Sequence, residues 1–171
     1  MIESNSWKMI KTNEKIIEIL KRHPEGGQRF FDALDLMIRS DEDLLGTYIN
    51  WTSKLIGISP CCGCVLTGSF GRTLLYMYHD YLYQAFSEVI LVNGGLREGK
   101  PVELPTLYIK SKNFILLDDS YYSGKTLHAI EEALQELNPT SKVTNTYVVY
   151  DGSKDNLDNV SALFRYYDYS S

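Results

Sequence analysis

At 171 residues the chain has the length of one domain, and 44% hydrophobic with 23% charged residues is the balance of a globular protein, which excludes disordered, collagen-like and coiled-coil chains. Seventeen Lys and Arg against 22 Asp and Glu leave a net charge of −5, with no basic surplus to hold a nucleic-acid backbone. Aromatic content is high at 12%, mostly from 13 tyrosines, each of which needs a polar place for its hydroxyl.

In chain order, the opening residues mix charge with apolar side chains and lack the unbroken apolar run of a secretory signal. No stretch approaches the roughly 20 apolar residues of a spanning helix, so a cytoplasmic protein away from membranes is expected. Ile10, Ile16, Ile17, Ile19 and Leu20 among Lys and Glu predict an amphipathic helix over 6–22 that stops at His23-Pro24. A second helix is expected over 28–39, and a third from Ser40 or Asp41 to Leu55, ending at Gly57. Cys61, Cys62 and Cys64 crowd into one segment. An odd, clustered count makes a poor disulfide framework, and the scattered His23, His79 and His128 offer no zinc-ligand spacing, so buried strand thiols are the expectation.

From residue 63 the period changes. A strand over 63–67 is followed by the turn Gly68-Ser69-Phe70-Gly71 and a tyrosine-bearing helix over 72–86, then a buried strand over 88–92. Glycines and Pro101 predict a loop over 93–101, joined to an edge strand at 107–110. Phe114-Ile115-Leu116-Leu117 is continuous hydrophobic β, followed by a helix over 124–137, a strand over 143–150 and a last strand over 162–167. Alternating strands and helices give an α/β class: a mainly parallel twisted sheet with helices on both faces, carrying a helical N-terminal extension. The expected division is 1–59 for the extension, packed on the core, and 60–171 for the α/β core with its C-terminal tail.

The chemistry concentrates after the 114–117 strand, in Asp118-Asp119-Ser120-Tyr121-Tyr122-Ser123-Gly124-Lys125-Thr126. In an open parallel sheet, ligands bind outside the carboxyl ends of strands, and here two carboxylates and a small-residue turn stand at such an end. Adjacent carboxylates can accept from vicinal hydroxyls or hold a divalent ion, while Ser123, Gly124 and Thr126 leave backbone amides at a helix start for an anion. A helix cap would explain one acid, but not two plus the Ser-Gly-Lys-Thr turn. A P-loop would need glycine five residues before Gly124, where Asp119 stands.

Four hydrophobic strand residues, two acids, a short linker and small-Gly-x-Thr resemble the ribose-phosphate recognition motif of type I phosphoribosyltransferases. The resemblance spans about residues 60–150. It implies a Mg2+-dependent transfer of ribose 5-phosphate from phosphoribosyl pyrophosphate to a small nitrogenous base, with a homodimer allowed. It puts Asp118 and Asp119 at the ribose hydroxyls and the ion, and wraps Tyr122, Ser123, Gly124, Lys125 and Thr126 around the 5′-phosphate. The strand-end segment Thr67, Gly68, Ser69, Phe70, Gly71 and Arg72 would approach the pyrophosphate. A closing loop over 93–104, with Arg97 as its catalytic cation and Lys100 beside it, would exclude water; a solvated loop with incidental cations is the other reading. Ser120 and Tyr121 stand where the family prefers aliphatic residues. Tyr122 stands where it prefers a small or acidic one, and the missing acid argues against hypoxanthine or guanine as the acceptor. Tyr147, Tyr150 and the Asp151-Gly152-Ser153 turn fall where base contacts often lie, although a strand tyrosine is also ordinary core. The alternative function is a non-catalytic relative that binds phosphoribosyl pyrophosphate or a nucleotide as a regulator.

Overall fold

The computed structural model describes residues 42–57, 59–95, 100–153 and 157–165, together with 14–15, 18–19, 21–22, 32–33 and 36–37. The last five pairs are all helical, within the first two predicted helices. Nine elements follow: α1 (Glu42–Ile56), β1 (Ser59–Thr67), α2 (Gly68–Ala85), β2 (Phe86–Gly95), β3 (Lys100–Glu103), β4 (Asn113–Tyr121), α3 (Lys125–Leu137), β5 (Lys142–Asp151) and β6 (Val160–Arg165). The strands form one six-stranded sheet in the order β3-β2-β1-β4-β5-β6. Every neighbouring pair is parallel except β2 with the edge strand β3.

Alternation along the strands builds two cores. Cys64, Leu66, Ile115 and Leu117 point to the face covered by α1 and α2, where they meet Leu44, Leu45, Tyr48, Phe70 and Leu74. Val65, Phe114 and Leu116 point the other way, to Ile130 and Leu134 of α3. Successive strand side chains must take opposite faces, so an unbroken apolar run such as Phe114–Leu117 is what a sheet covered on both sides demands. α1 belongs to the same core as the sheet, since its Leu44, Leu45 and Tyr48 are at most 1% exposed.

Three expectations are corrected. The edge strand lies at Lys100–Glu103, antiparallel to β2, and not at 107–110. At 107–110 the backbone donors go elsewhere: Glu88 Oε2 accepts from the amides of Lys110 and Ser111 and from Ser111 Oγ at 2.6–2.8 Å, so a side chain has taken the donors a ladder would use. Leu107 and Tyr108 are accordingly exposed, whereas Pro101 is tolerated at 100–103 because an edge strand can spare an amide. The helix expected from Arg72 starts at Gly68, so Gly68-Ser69-Phe70-Gly71 is its first turn and not a loop. Finally, β4 does not end at Leu117; pairing with β5 carries it through both acids to Tyr121, with Asp118 opposite Val148 and Tyr121 opposite Asp151. The predicted strand over 162–167 is β6, and its residues 166–167 lie outside the described residues.

Candidate functional site

From β1 the chain crosses through α2 to β2 on one side; from β4 it crosses through α3 to β5 on the other. The order reverses between β1 and β4, which lie side by side, and such a reversal opens a crevice above the carboxyl ends of the two strands. Both helices flanking it begin there. Neither has a capping bond from a side chain, and neither has an acid in its first turn, while Lys125 is exposed at the start of α3 and Arg72 just past the first turn of α2. Two positive helix ends therefore face one cleft without the side-chain caps and first-turn acids that normally neutralise them.

The two corners differ in what stands over them. Gly68 follows Thr67 directly with φ +65, and among the described residues no heavy atom beyond its chain neighbours and its own helix backbone lies within 4 Å of where its Cβ would be. Gly124, the N-cap of α3, has φ +76, and a Cβ there would meet the Tyr121 hydroxyl at 2.6 Å. Both corners need the left-handed region that only glycine enters cheaply. One is open; the other is covered by a phenol.

Of the expected pyrophosphate segment, Thr67 is the buried last residue of β1, Gly68 and Ser69 are half-buried at the corner, and Arg72 is exposed. Phe70 is turned into the core, 4% exposed and edge-on to Tyr48 with ring centroids 5.2 Å apart. Gly71 is buried against β1, where a Cβ would meet Leu66 backbone at 3.0 Å. In the expected phosphate loop, Ser123 and Lys125 are exposed, while Tyr122, Gly124 and Thr126 are half-buried.

Strand geometry separates the two acids. Asp118 continues the series of Leu116 on the α3 face, and Asp119 that of Leu117 on the α1/α2 face. Asp118 is half-buried and its Oδ1 accepts from the Asp119 amide at 2.8 Å; Asp119 is 6% exposed and its Oδ1 accepts from Ser120 Oγ at 3.2 Å. The pair thus presents one carboxylate on each side of the strand end. Among the described residues no three His, Cys, Asp or Glu side chains converge as a metal-binding group. A Mg2+ ion suits such a place only as a guest held by one carboxylate together with ligand oxygens and water, which is the ordinary manner of this ion.

Tyr122 is anchored on the turn after β5. Its ring lies on Gly152, where a Cβ would come within 2.2 Å of it, and tilts against Tyr150 at 6.0 Å between centroids. The Gly152 amide donates to the Tyr121 carbonyl at 2.8 Å, and Asp151 Oδ1 accepts from the Ser153 amide at 2.9 Å. The turn after β5 is thereby fastened to the turn after β4. Tyr147 and Tyr150 are core residues, 9% and 1% exposed, and Tyr147 stands edge-on to Trp51. Arg97 lies outside the described residues, as do the side chains of 94–100.

Tyr48 went unnoticed in the sequence, yet it is fully buried, donating from its hydroxyl to the Tyr147 carbonyl at 2.7 Å. The helical spacing Leu44, Leu45, Tyr48, Ile49 is the signal that could have found it. Burial, reinforced by the charges of Asp118, Cys64 and Asp119, holds its hydroxyl well above the usual 10.0. Burial likewise pushes the Cys64 thiol up. Since the folded tyrosine resists ionisation and the unfolded one does not, the stabilisation is intact below pH 10 and is lost as pH rises beyond it. Chemical denaturation between pH 8 and pH 11 is expected to show a steeper alkaline fall than in Tyr48→Phe; parallel curves would refute the assignment.

No family model and no curated protein matches the chain. Solved structures similar to it include a hypoxanthine phosphoribosyltransferase from Staphylococcus aureus, at 15% identity over 72% of this chain and 73% of that one, TM-score 0.49. Others are a hypoxanthine phosphoribosyltransferase from Trypanosoma cruzi, at 14% identity over 72% and 78%, TM-score 0.47, and a purine phosphoribosyltransferase from Pyrococcus horikoshii, at 17% over 72% and 81%, TM-score 0.46.

Proposed function

We propose that the cleft between β1 and β4 binds phosphoribosyl pyrophosphate and that the chain transfers its ribose 5-phosphate to a nitrogenous base. The observation that carries this reading is the meeting of two uncapped helix N-termini, each with a glycine corner and an exposed cation, on either side of a strand end bearing two acids. Two anionic groups linked by a polyol match that layout. The first turn of α2 takes the pyrophosphate, the turn 122–126 takes the 5′-phosphate, and a ribose lying across the end of β4 meets Asp118 on one side and Asp119 on the other. Tyr122, though within the turn, contributes by its seat on Gly152. Bound Mg2+ would neutralise charge on the leaving pyrophosphate. The protein's own part is to hold donor and acceptor in line and to place fixed amide dipoles where charge gathers.

Calorimetry with phosphoribosyl pyrophosphate and Mg2+, then a pyrophosphate-release screen over purine and pyrimidine bases, tests it directly. Absence of binding sinks the reading. Asp119→Asn is expected to weaken binding at least ~10-fold, since one charge-assisted hydrogen bond is worth about 1.5–3 kcal/mol; undiminished affinity would remove Asp119 from the site. The covered Gly124 corner favours a second reading, a regulator that binds the same ligand without turnover, and binding with no release for any base would select it.

A further inference from the structure

Resting on that reading, we infer that Tyr121 is the gate of the phosphate turn: its hydroxyl holds the place that the phosphate takes, and the ligand must turn the phenol aside to enter. A glycine at a phosphate-binding corner serves to leave its Cβ side empty so that backbone and anion can approach closely. At Gly68 no described residue beyond its chain neighbours and its own helix comes within 4 Å on that side, whereas at Gly124 the Tyr121 hydroxyl stands 2.6 Å from the Cβ position and its Cζ 3.3 Å from it. The same chain thus shows an open corner and a filled one, on neighbouring strands of one cleft.

The backbone of Tyr121 is fixed, so a gate here works through its side chain. Its backbone is the last rung of β4, paired with Asp151 and accepting from the Gly152 amide at 2.8 Å. The adjoining Tyr122 is pinned on Gly152 and against Tyr150. Rotation about the Tyr121 side-chain bonds uncovers Gly124 without melting the turn, and such rotations are far faster than loop refolding. If the open rotamer is a minor population, the measured dissociation constant exceeds the intrinsic one by the inverse of that fraction, and removing the gate returns the difference.

The experiment compares wild type, Tyr121→Ala and Tyr121→Phe by calorimetry with ribose 5-phosphate and with phosphoribosyl pyrophosphate plus Mg2+. Tyr121→Ala is expected to bind at least about tenfold tighter than wild type, a closed-to-open ratio of about ten or more. Tyr121→Phe, which keeps the ring and loses only the intruding hydroxyl, is expected in between and carries the test should the alanine variant not fold. Wild-type binding that neither variant improves overturns the gate and leaves the binding site standing. Weaker binding by both variants makes the phenol a phosphate ligand and overturns the gate as well. No binding by any of the three overturns the gate and the proposed function together. A readout without ligand is the melting temperature of Gly124→Ala in each background: the loss is expected to be several degrees smaller without the Tyr121 phenol, and equal losses would contradict the seat itself.

Discussion

Gly124→Val is expected to lower affinity for phosphoribosyl pyrophosphate about 100-fold, the equivalent of about 2.7 kcal/mol, while the chain still folds. Two separate demands fall on this residue. Its φ of +76 is a conformation that a β-branched residue enters only with strain, costing about 1–3 kcal/mol. Its Cβ side is occupied by the Tyr121 hydroxyl, and valine adds two methyl groups beyond the Cβ that already collides at 2.6 Å. Turning the phenol aside relieves the contact but not the strain, which ends only when the backbone at 124 leaves the left-handed region and so redirects the amides that open α3. Each hydrogen bond to a charged phosphate oxygen is worth about 1.5–3 kcal/mol, so losing one or two accounts for the expected factor. Position 124 is not a member of either core, which is why the fold is expected to survive. Calorimetry together with a thermal melt checks both parts; unchanged affinity would mean that the phosphate binds elsewhere.

The largest effect on stability is expected from Tyr48→Ala, at about 3–5 kcal/mol, the range for deleting a fully buried aromatic ring. Tyr48 is 0% exposed, packs edge-on against Phe70 and tilted against Trp51, and ties its hydroxyl to Tyr147 of β5. Against the roughly 5–15 kcal/mol that hold an ordinary domain together, the loss is a fifth or more. It also reaches the cleft, because Phe70 belongs to the first turn of α2 and rests on the ring that would be deleted. Urea unfolding of the intact chain measures it; a cost below about 1 kcal/mol would show that α1 does not brace the sheet.

What could be read in advance was what local pattern controls. The apolar run Phe114 to Leu117 and the helix after Gly124 carry their periodicity in the sequence, and the small-residue turn between them named the cleft. What stayed hidden was decided by neighbours. Asp118 to Tyr121 look like a loop by composition, yet pairing with β5 keeps them extended, and that extension is what sends the two acids to opposite faces. Gly68 to Gly71 look like a turn, but one left-handed residue suffices to change direction, and close packing of Gly71 on Leu66 starts the helix at once. The segment 107–110 has the composition of a strand; a glutamate 22 residues earlier captures its donors. Tyr121 and Tyr122 stood out in the sequence as departures from a family pattern. That each rests on a different glycine could not be seen, because one of those contacts joins the ends of two strands.

The Tyr48 hydrogen bond spans 99 residues. On a ribosome adding 5–20 residues per second, α1 emerges about 5–20 s before the carbonyl that receives its hydroxyl exists. During that interval the faces of Leu44, Leu45, Tyr48 and Ile49 have no sheet to cover, so the helix that later braces the cleft is, while the chain is being made, the stretch most in need of shelter from other chains.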